Sequence, residues 1–122
     1  FVYTNFVYTN LKKYFTIINL VMDLPQEEWK SNLEKDDNAF LLDVRTPEEY
    51  VEGHIPNASL LDILQPKAFL EGIQYLDASK NYYVYCRSGG RSSQACQLMN
   101  QMGIDNTYNL MGGFMEWNWE TS

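Results

Sequence analysis

The chain has 122 residues, 45% of them hydrophobic and 15% aromatic, and a formal net charge of −7. That length and apolar content predict one folded domain around a single hydrophobic core and exclude a disordered body. The acidic balance argues against nucleic acid as a partner, because phosphate binding needs a basic face and the nine basic residues form no cluster. No apolar run approaches the roughly 20 residues of a membrane-spanning helix, so a membrane partner is not expected either.

Cysteine and histidine are too few for two common kinds of site. Two cysteines and one histidine give neither a disulfide framework nor the four-ligand spacing of a structural zinc site. Free thiols fit a reducing compartment, and we expect a cytoplasmic protein.

The first ten residues are two copies of Phe-Val-Tyr-Thr-Asn, too few to build a repeat architecture. We expect residues 1–10 to be a disordered or expression-derived tail and residues 11–122 to form the single domain. The strand-forming composition of the repeat also allows an added edge strand, but we assign the repeat no chemistry.

Short apolar runs then alternate with helix-like segments, which predicts an α/β fold with a parallel sheet covered by helices. Phe15–Leu20 is the first predicted strand. Asp23 is placed to cap a helix that has Pro25 in its first turn. Trp29 and Leu33, four residues apart on that helix, are predicted to face the core.

The next strand is predicted to end in a pair of charges. Ala39–Leu42 is an apolar run of the kind buried on both faces of a sheet, and it leads into Asp43 and Arg45. Thr46 to Glu49 then forms a capping box with proline at the first helical position, and Gly53 suits the end of that helix.

A third clear strand leads directly to a cysteine. Residues 60–78 fit one or two short helices, and Tyr82–Tyr85 is predicted as the strand that Cys86 follows. Open parallel sheets bind ligands at such strand ends.

The last third of the chain continues the alternation. An amphipathic helix is predicted to stop at Gly103, with its apolar positions at helical spacing on Ala95, Leu98, Met99 and Met102. Tyr108–Leu110 is the last predicted strand, and Phe114–Trp119 is predicted as a terminal helix.

The chemistry is predicted to lie in the loop Cys86-Arg87-Ser88-Gly89-Gly90-Arg91 and in Ser92 after it. Two glycines let the backbone curl and point N–H groups inward, where they can hold an anion. A thiol there, at a helix amino terminus and beside two guanidinium groups, should lose its proton readily and act as a nucleophile. A packing role for Cys86 is the alternative, although an inert buried thiol should have apolar neighbours. Arg87 and Arg91 taken alone fit a solvated charged turn equally well.

Four ordered segments together resemble the rhodanese homology domain family, over roughly Phe15 to Trp119. They are Asp43 to Tyr50, Gly53 to Ala58, the loop from Cys86 to Arg91, and Asn109 to Trp117. The resemblance implies a five-stranded parallel sheet flanked by helices on both faces.

The resemblance also implies an activity. In that family the loop cysteine takes a sulfane sulfur from a donor such as thiosulfate, carries it as a persulfide and passes it to a thiophilic acceptor, with neither metal nor organic cofactor. Cys86 matches that nucleophile. A two-step covalent transfer needs an activated thiolate, and the loop around Cys86 is expected to provide one. The expected partners are a small anionic sulfur donor such as thiosulfate, or a protein or small-molecule thiol or persulfide.

The other matching positions have implied roles around this cysteine. Arg87 and Arg91 occupy places where the family carries charge that recruits an anionic donor, and the cradle is formed by Ser88, Gly89 and Gly90. We expect Ser92 to cap the helix and to belong to the substrate-binding set. Asp43 and Arg45 match a strand-end pair that supports neighbouring loops, because a carboxylate near the thiol would oppose thiolate formation.

Two further residues invite a catalytic interpretation that we do not favour. His54 stands in a turn-forming Gly-His-Ile-Pro segment, so we expect a structural histidine and not a general base. Cys96 cannot form the usual Cys-x-x-Cys pair with Cys86, so we expect it to pack in the core.

Two other functional classes remain open. Cysteine-based phosphatases and arsenate reductases also place Cys and Arg around an anion-binding loop, but only four residues separate Cys86 from Arg91, one fewer than in the phosphatase signature. A non-catalytic interaction module of the same family is the second alternative, favoured where the loop cysteine is missing, whereas here it is present.

Overall fold

The computed structural model describes residues 21–122. The predicted tail at residues 1–10 and the predicted strand Phe15–Leu20 lie outside this range. The first described strand, β1, follows directly at Val21–Leu24.

Five strands and four α-helices alternate along the described chain, as predicted. After β1 the strands are β2 Ala39–Asp43, β3 Ser59–Leu60, β4 Asn81–Tyr85 and β5 Thr107–Leu110. The helices are α1 Gln26–Lys35, α2 Pro47–Glu52, α3 Pro66–Gln74 and α4 Gly90–Gln101, followed by a single 3-10 turn, Phe114–Glu116. Within residues 21–122, no helix has both the length and the apolar character that crossing a membrane requires.

The strands form one sheet in the order β1-β5-β4-β2-β3, and every adjacent pair is parallel. The five-stranded parallel sheet is therefore confirmed. Because all five strands run the same way, their carboxyl ends meet at one edge of the sheet, and Cys86 follows β4 at the centre of that edge.

Helices cover both faces of the sheet, which explains why β4 is apolar or aromatic at nearly every position. Tyr82 and Val84 lie in one core cluster with residues of α3 and α4, whereas Tyr83 and Tyr85 lie in the other with Trp29 of α1. Trp29 is fully buried, and Leu33 packs against the same cluster, as predicted.

The predicted capping box on α2 is present. Thr46 Oγ1 accepts from the backbone N–H of Glu49 at 3.2 Å, and a Glu49 carboxylate oxygen accepts from the backbone N–H of Thr46 at 3.1 Å. Pro47 occupies the first turn, and the helix ends before Gly53.

Two local predictions were wrong. Asp23 does not cap α1: it lies in β1, which pairs with β5 as far as Leu24, and its carboxylate accepts from Asn109 Nδ2 at 2.7 Å. Pro25 occupies the position before the helix. The predicted terminal helix Phe114–Trp119 is only the 3-10 turn, because Trp117 is extended and packs edge-on against Trp29.

The helical stripe on α4 is correct except at its end. Ala95 and Met99 are fully buried and Leu98 packs against the same cluster, whereas Met102 is exposed. Met102 follows the last helical residue, so the helical spacing no longer directs it toward the core.

We expect Tyr85→Phe to lower the free energy of unfolding by about 1–3 kcal/mol, because it leaves a buried N–H without an acceptor. The Tyr85 hydroxyl accepts from the backbone N–H of Ile55 at 3.0 Å and bonds to the Asp43 carboxylate, and all three residues are buried. Urea denaturation checks this against Tyr75→Phe, since Tyr75 is 89% exposed and its change should cost less than about 0.5 kcal/mol. Equal stabilities of the two variants would contradict the assignment.

Candidate active site

The loop after β4 curls around the Cys86 side chain. β4 ends at Tyr85, and α4 begins at Gly90, so only four residues connect the two elements. Gly89 has φ = 112°, a left-handed conformation that side chains disfavour, and it turns the chain into the helix. The sharp turn brings the amino end of α4 over the sulfur.

The Cys86 sulfur receives hydrogen bonds from the loop and from the helix. The Gly89 N–H donates to Sγ at 3.1 Å, and the Ser92 hydroxyl donates to Sγ at 3.3 Å. Burial raises the pKa of the Cys86 thiol, but hydrogen bonds from the Ser92 hydroxyl and from the backbone N–H groups of Ser92, Gly89 and Ser88 outweigh it and lower the pKa. The site therefore stabilises the thiolate more than water stabilises that of a free cysteine.

Ser92 does not cap α4, contrary to our expectation. Gly89 occupies the capping position without a side-chain bond, and Ser92 is the third residue of the helix. Its side chain is fully buried and points at Cys86, because the close approach of α4 to the loop leaves the sulfur as its acceptor.

A glycine-rich turn holds the loop from its other side. The backbone N–H groups of Phe114 and Met115 donate to the carbonyls of Cys86 and Arg87 at 2.8 and 3.0 Å. Gly113 lies directly against this backbone: a Cβ there would collide with the Arg87 carbonyl and lie 2.6 Å from the Ser88 nitrogen. Only glycine permits this contact.

The two loop arginines occupy different environments, and the one at the start of α4 is paired with a carboxylate. Arg91 forms a two-pronged ion pair with Glu49 of α2, Nη1 to Oε1 at 2.8 Å and Nη2 to Oε2 at 2.9 Å. The hydrogen bonds from Arg91 hold the pKa of Glu49 at about 2. Arg87 is exposed. The hydrogen bonds to Cys86, more than these charges, account for its lowered pKa.

Asp43 and Arg45 form a buried ion pair at the carboxyl end of β2. Arg45 Nη2 donates to Asp43 Oδ2 at 2.7 Å and to the Gly53 carbonyl at 2.8 Å. The guanidinium carbon lies 4.4 Å from the centre of the Phe114 ring, on the turn that holds the loop. The pair therefore contacts the supports of the loop and not the sulfur.

The remaining thiol and the histidine are engaged elsewhere. Cys96 is fully buried in α4, and burial raises the pKa of its thiol to about 12. The His54 ring stacks on Tyr50 with 3.7 Å between ring centres, and its Nδ1 lies 2.9 Å from the Tyr50 carbonyl oxygen. In residues 21–122 no group of three or more His, Cys, Asp or Glu side chains is arranged to hold a metal ion.

Sequence reasoning missed two contributors to the site. Glu49 was recognised only as a capping residue, although it also holds Arg91. Gly113 had no predicted role of its own and occurs only within the segment from Asn109 to Trp117. A capping box and a Gly-Gly pair mark these two places in the sequence, but a local motif does not predict which distant residue it will contact.

A separate groove of about 550 Å³ lies between α1 and the C-terminal segment. Trp117, Trp119 and Leu41 contribute to its lining, and no residue of the Cys86 loop does. The groove therefore lies apart from the thiol chemistry.

Comparisons with known proteins agree with this geometry. A family model described as Rhodanese-like domain matches residues 25–120. YtwF of Bacillus subtilis is 38% identical over 92 residues, which are 75% of this chain and 85% of that protein. A protein of Allochromatium vinosum named sulfurtransferase is 34% identical over 98 residues, 80% of this chain and 89% of its own length. The solution structure of the rhodanese-like domain from the Anabaena protein Alr3790 is similar with a TM-score of 0.71 and 28% identity, covering 82% of this chain and 77% of that one.

The matched range contains all four segments on which the resemblance rests, and it contains every described element from α1 to the 3-10 turn. Membership and the named relative support a sulfurtransferase-type role. The chain belongs to the rhodanese-like domain family.

Proposed function

We propose that this protein transfers a sulfane sulfur, from thiosulfate or a persulfide, to a thiophilic acceptor through a persulfide on Cys86. The observation that carries the proposal is the convergence of the Gly89 N–H and the Ser92 hydroxyl on the Cys86 sulfur, 3.1 and 3.3 Å away. Such donors stabilise a thiolate, and they would also stabilise the negative charge of a bound persulfide.

The chemistry balances in two displacement steps. The Cys86 thiolate attacks the outer sulfur of thiosulfate, the sulfur–sulfur bond breaks, and sulfite leaves with its electron pair. An acceptor such as cyanide then attacks the terminal sulfur of the persulfide, and Cys86 leaves as the thiolate. No net oxidation and no proton transfer is required, so a lowered thiol pKa is the main demand on the site.

The rest of the loop serves binding in this proposal. The exposed Arg87 attracts an anionic donor, and the cradle around the incoming sulfur is formed by Ser88, Gly89, Gly90, Arg91 and Ser92. Asp43 and Arg45 act as internal support through Gly53 and Phe114. Because the reaction needs a free thiol, we place it in a reducing compartment such as the cytoplasm.

Cys86→Ala is expected to abolish sulfur transfer from thiosulfate to cyanide, by roughly a thousandfold or more, because the other described thiol, Cys96, is buried and its pKa is raised. Cys96→Ser is the matched control: it should keep most activity and lose only packing stability. Thiocyanate formation measures turnover, and mass spectrometry after thiosulfate should find one added sulfur on the Cys86 peptide.

Three results would contradict this reaction class. Turnover retained in Cys86→Ala excludes the nucleophile, and a Cys96→Ser variant as inactive as Cys86→Ala indicates a resolving thiol. Robust cleavage of an aryl phosphate, lost in Cys86→Ser and without a persulfide, favours the phosphatase alternative. A protein that acquires no sulfur at all from thiosulfate or a persulfide is an interaction module.

Ser92→Ala is expected to shift the pH profile of Cys86 alkylation by iodoacetamide to higher pH. The Ser92 hydroxyl stabilises the thiolate, so its loss raises the pKa of Cys86 and less thiolate is present at any pH near that pKa. Ser93→Ala is the control on the same helix, since the backbone N–H of Ser93 bonds to the Gly89 carbonyl and its side chain is not among the donors to the sulfur. A profile that moves equally in both variants, or in neither, contradicts a specific hydrogen bond.

Gly113→Ala should reduce kcat/KM by about tenfold or more, since a Cβ there displaces the backbone of Arg87 and Ser88 beside the nucleophile. Gly103→Ala isolates this effect. Gly103 also has a positive φ, 94°, but a Cβ there meets nothing within 4 Å, so both variants share the backbone strain and only one contacts the loop. If both variants lose activity equally, strain and not the loop contact is responsible.

A further inference from the structure

One carboxylate joins the start of α2 to the Cys86 loop, residues 86–91. Glu49 Oε1 accepts from the Thr46 N–H, from the Thr46 hydroxyl and from Arg91 Nη1, at 3.1, 3.1 and 2.8 Å, and Oε2 accepts from Arg91 Nη2 at 2.9 Å. The capping box therefore holds the Glu49 carboxylate in place independently of its ion pair with Arg91. Both side chains are about one quarter exposed, so the pair is partly shielded from water.

The ion pair is also linked to the Cys86 sulfur through the first turn of α4. Arg91 directly precedes Ser92, whose hydroxyl bonds to Cys86, so a fixed Arg91 fixes the first turn of α4 above the thiol. The Cys86 thiolate attracts the Arg91 guanidinium, as do Glu49 and Asp62. The Glu49 carboxylate, paired with Arg91 at 2.8 and 2.9 Å, thus offsets most of the attraction that Arg91 would exert on an incoming anion.

We infer that Glu49 is a specificity-determining positioning residue, which through Arg91 withholds one of the two loop cations from the sulfur donor. The loop then presents Arg87 as its exposed cation. The inference rests on the proposed sulfur transfer and refines its substrate class: the site favours persulfides whose transferable sulfur carries few neighbouring charges over the thiosulfate dianion.

The reason is electrostatic. A dianion that approaches a thiolate is repelled, and an unpaired guanidinium nearby would offset that repulsion. A guanidinium already held by a carboxylate offers a much smaller offset at the same distance. The lowered pKa of Glu49, about 2, keeps the carboxylate charged throughout the range in which a thiol titrates, so the pairing does not vary there.

The test replaces Glu49 with glutamine, which can also form a capping box and therefore preserves α2. Cys86 is alkylated with iodoacetate, which is an anion, and with iodoacetamide, which is neutral. The ratio of the two rates reports the local charge at the sulfur without requiring sulfur transfer. Peptide mass mapping checks that the alkylation occurs on Cys86 and not on the buried Cys96.

Glu49→Gln should raise the iodoacetate to iodoacetamide ratio by about three- to tenfold at low salt, and Arg91→Gln should lower it. The double variant should return near the ratio of the unmodified protein, because it removes a neutral pair. Glu48→Gln is the matched control: Glu48 precedes Glu49 on α2, is exposed, and loses the same formal charge without contacting Arg91. It should change the ratio less than twofold.

Steady-state sulfur transfer supplies the second readout. Glu49→Gln should lower KM for thiosulfate several-fold while KM for cysteine persulfide changes little, whereas a merely structural role would lower kcat for both donors alike.

The possible failures of the two ideas are distinguishable. A ratio that moves equally in Glu48→Gln and Glu49→Gln, or a double variant that does not revert, overturns the role of Glu49. If Glu49→Gln does not fold, the Arg91→Gln variant decides, because an unchanged ratio there overturns the same role. Absence of sulfur transfer in the unmodified protein overturns the proposed function instead, even where the alkylation ratios move as expected.

Discussion

The buried ion pair between Asp43 and Arg45, at the carboxyl end of β2, links two turns that flank the Cys86 loop. Both side chains are almost fully buried, and removal of either partner would leave an uncompensated charge in the interior. Arg45 also donates to the Gly53 carbonyl and faces the Phe114 ring. The turn after α2 and the 3-10 turn that holds the Cys86 loop are therefore both in contact with the same guanidinium, although neither ion touches the sulfur.

The Cys86 loop is held from two sides, which preorganises its hydrogen-bond donors. The 3-10 turn bonds to the loop carbonyls, and Glu49 holds the start of α4. Donors that are already in position need no reorganisation when negative charge develops on sulfur, so they stabilise it more effectively than mobile water. This is the physical reason for a lowered thiol pKa despite burial, which by itself would keep Cys86 protonated.

Local sequence signals predicted the elements whose stability is local. The capping box at Thr46, the apolar run ending at Asp43 and the position of Cys86 after β4 all depend on residues within a few positions of one another. Predictions failed where a distant segment decided the outcome. Asp23 is a strand residue because β5 pairs with it, and the chain after Phe114 leaves its helical turn because Trp117 packs against Trp29.

For the candidate site, the sequence by itself determined which thiol is the nucleophile candidate. A cysteine between a buried strand and a glycine-rich helix start is surrounded by backbone N–H groups whatever the rest of the fold does. The sequence did not determine which groups act on that thiol. Two arginines near a cysteine in sequence suggest two cations near the sulfur, but Glu49, forty-two residues before Arg91, engages one of them. Likewise the space that requires Gly113 exists only because the Arg87 backbone lies against it. Contacts between residues far apart in the chain arise when the sheet and its helices assemble, so only the tertiary structure decided the charge and the rigidity of the loop.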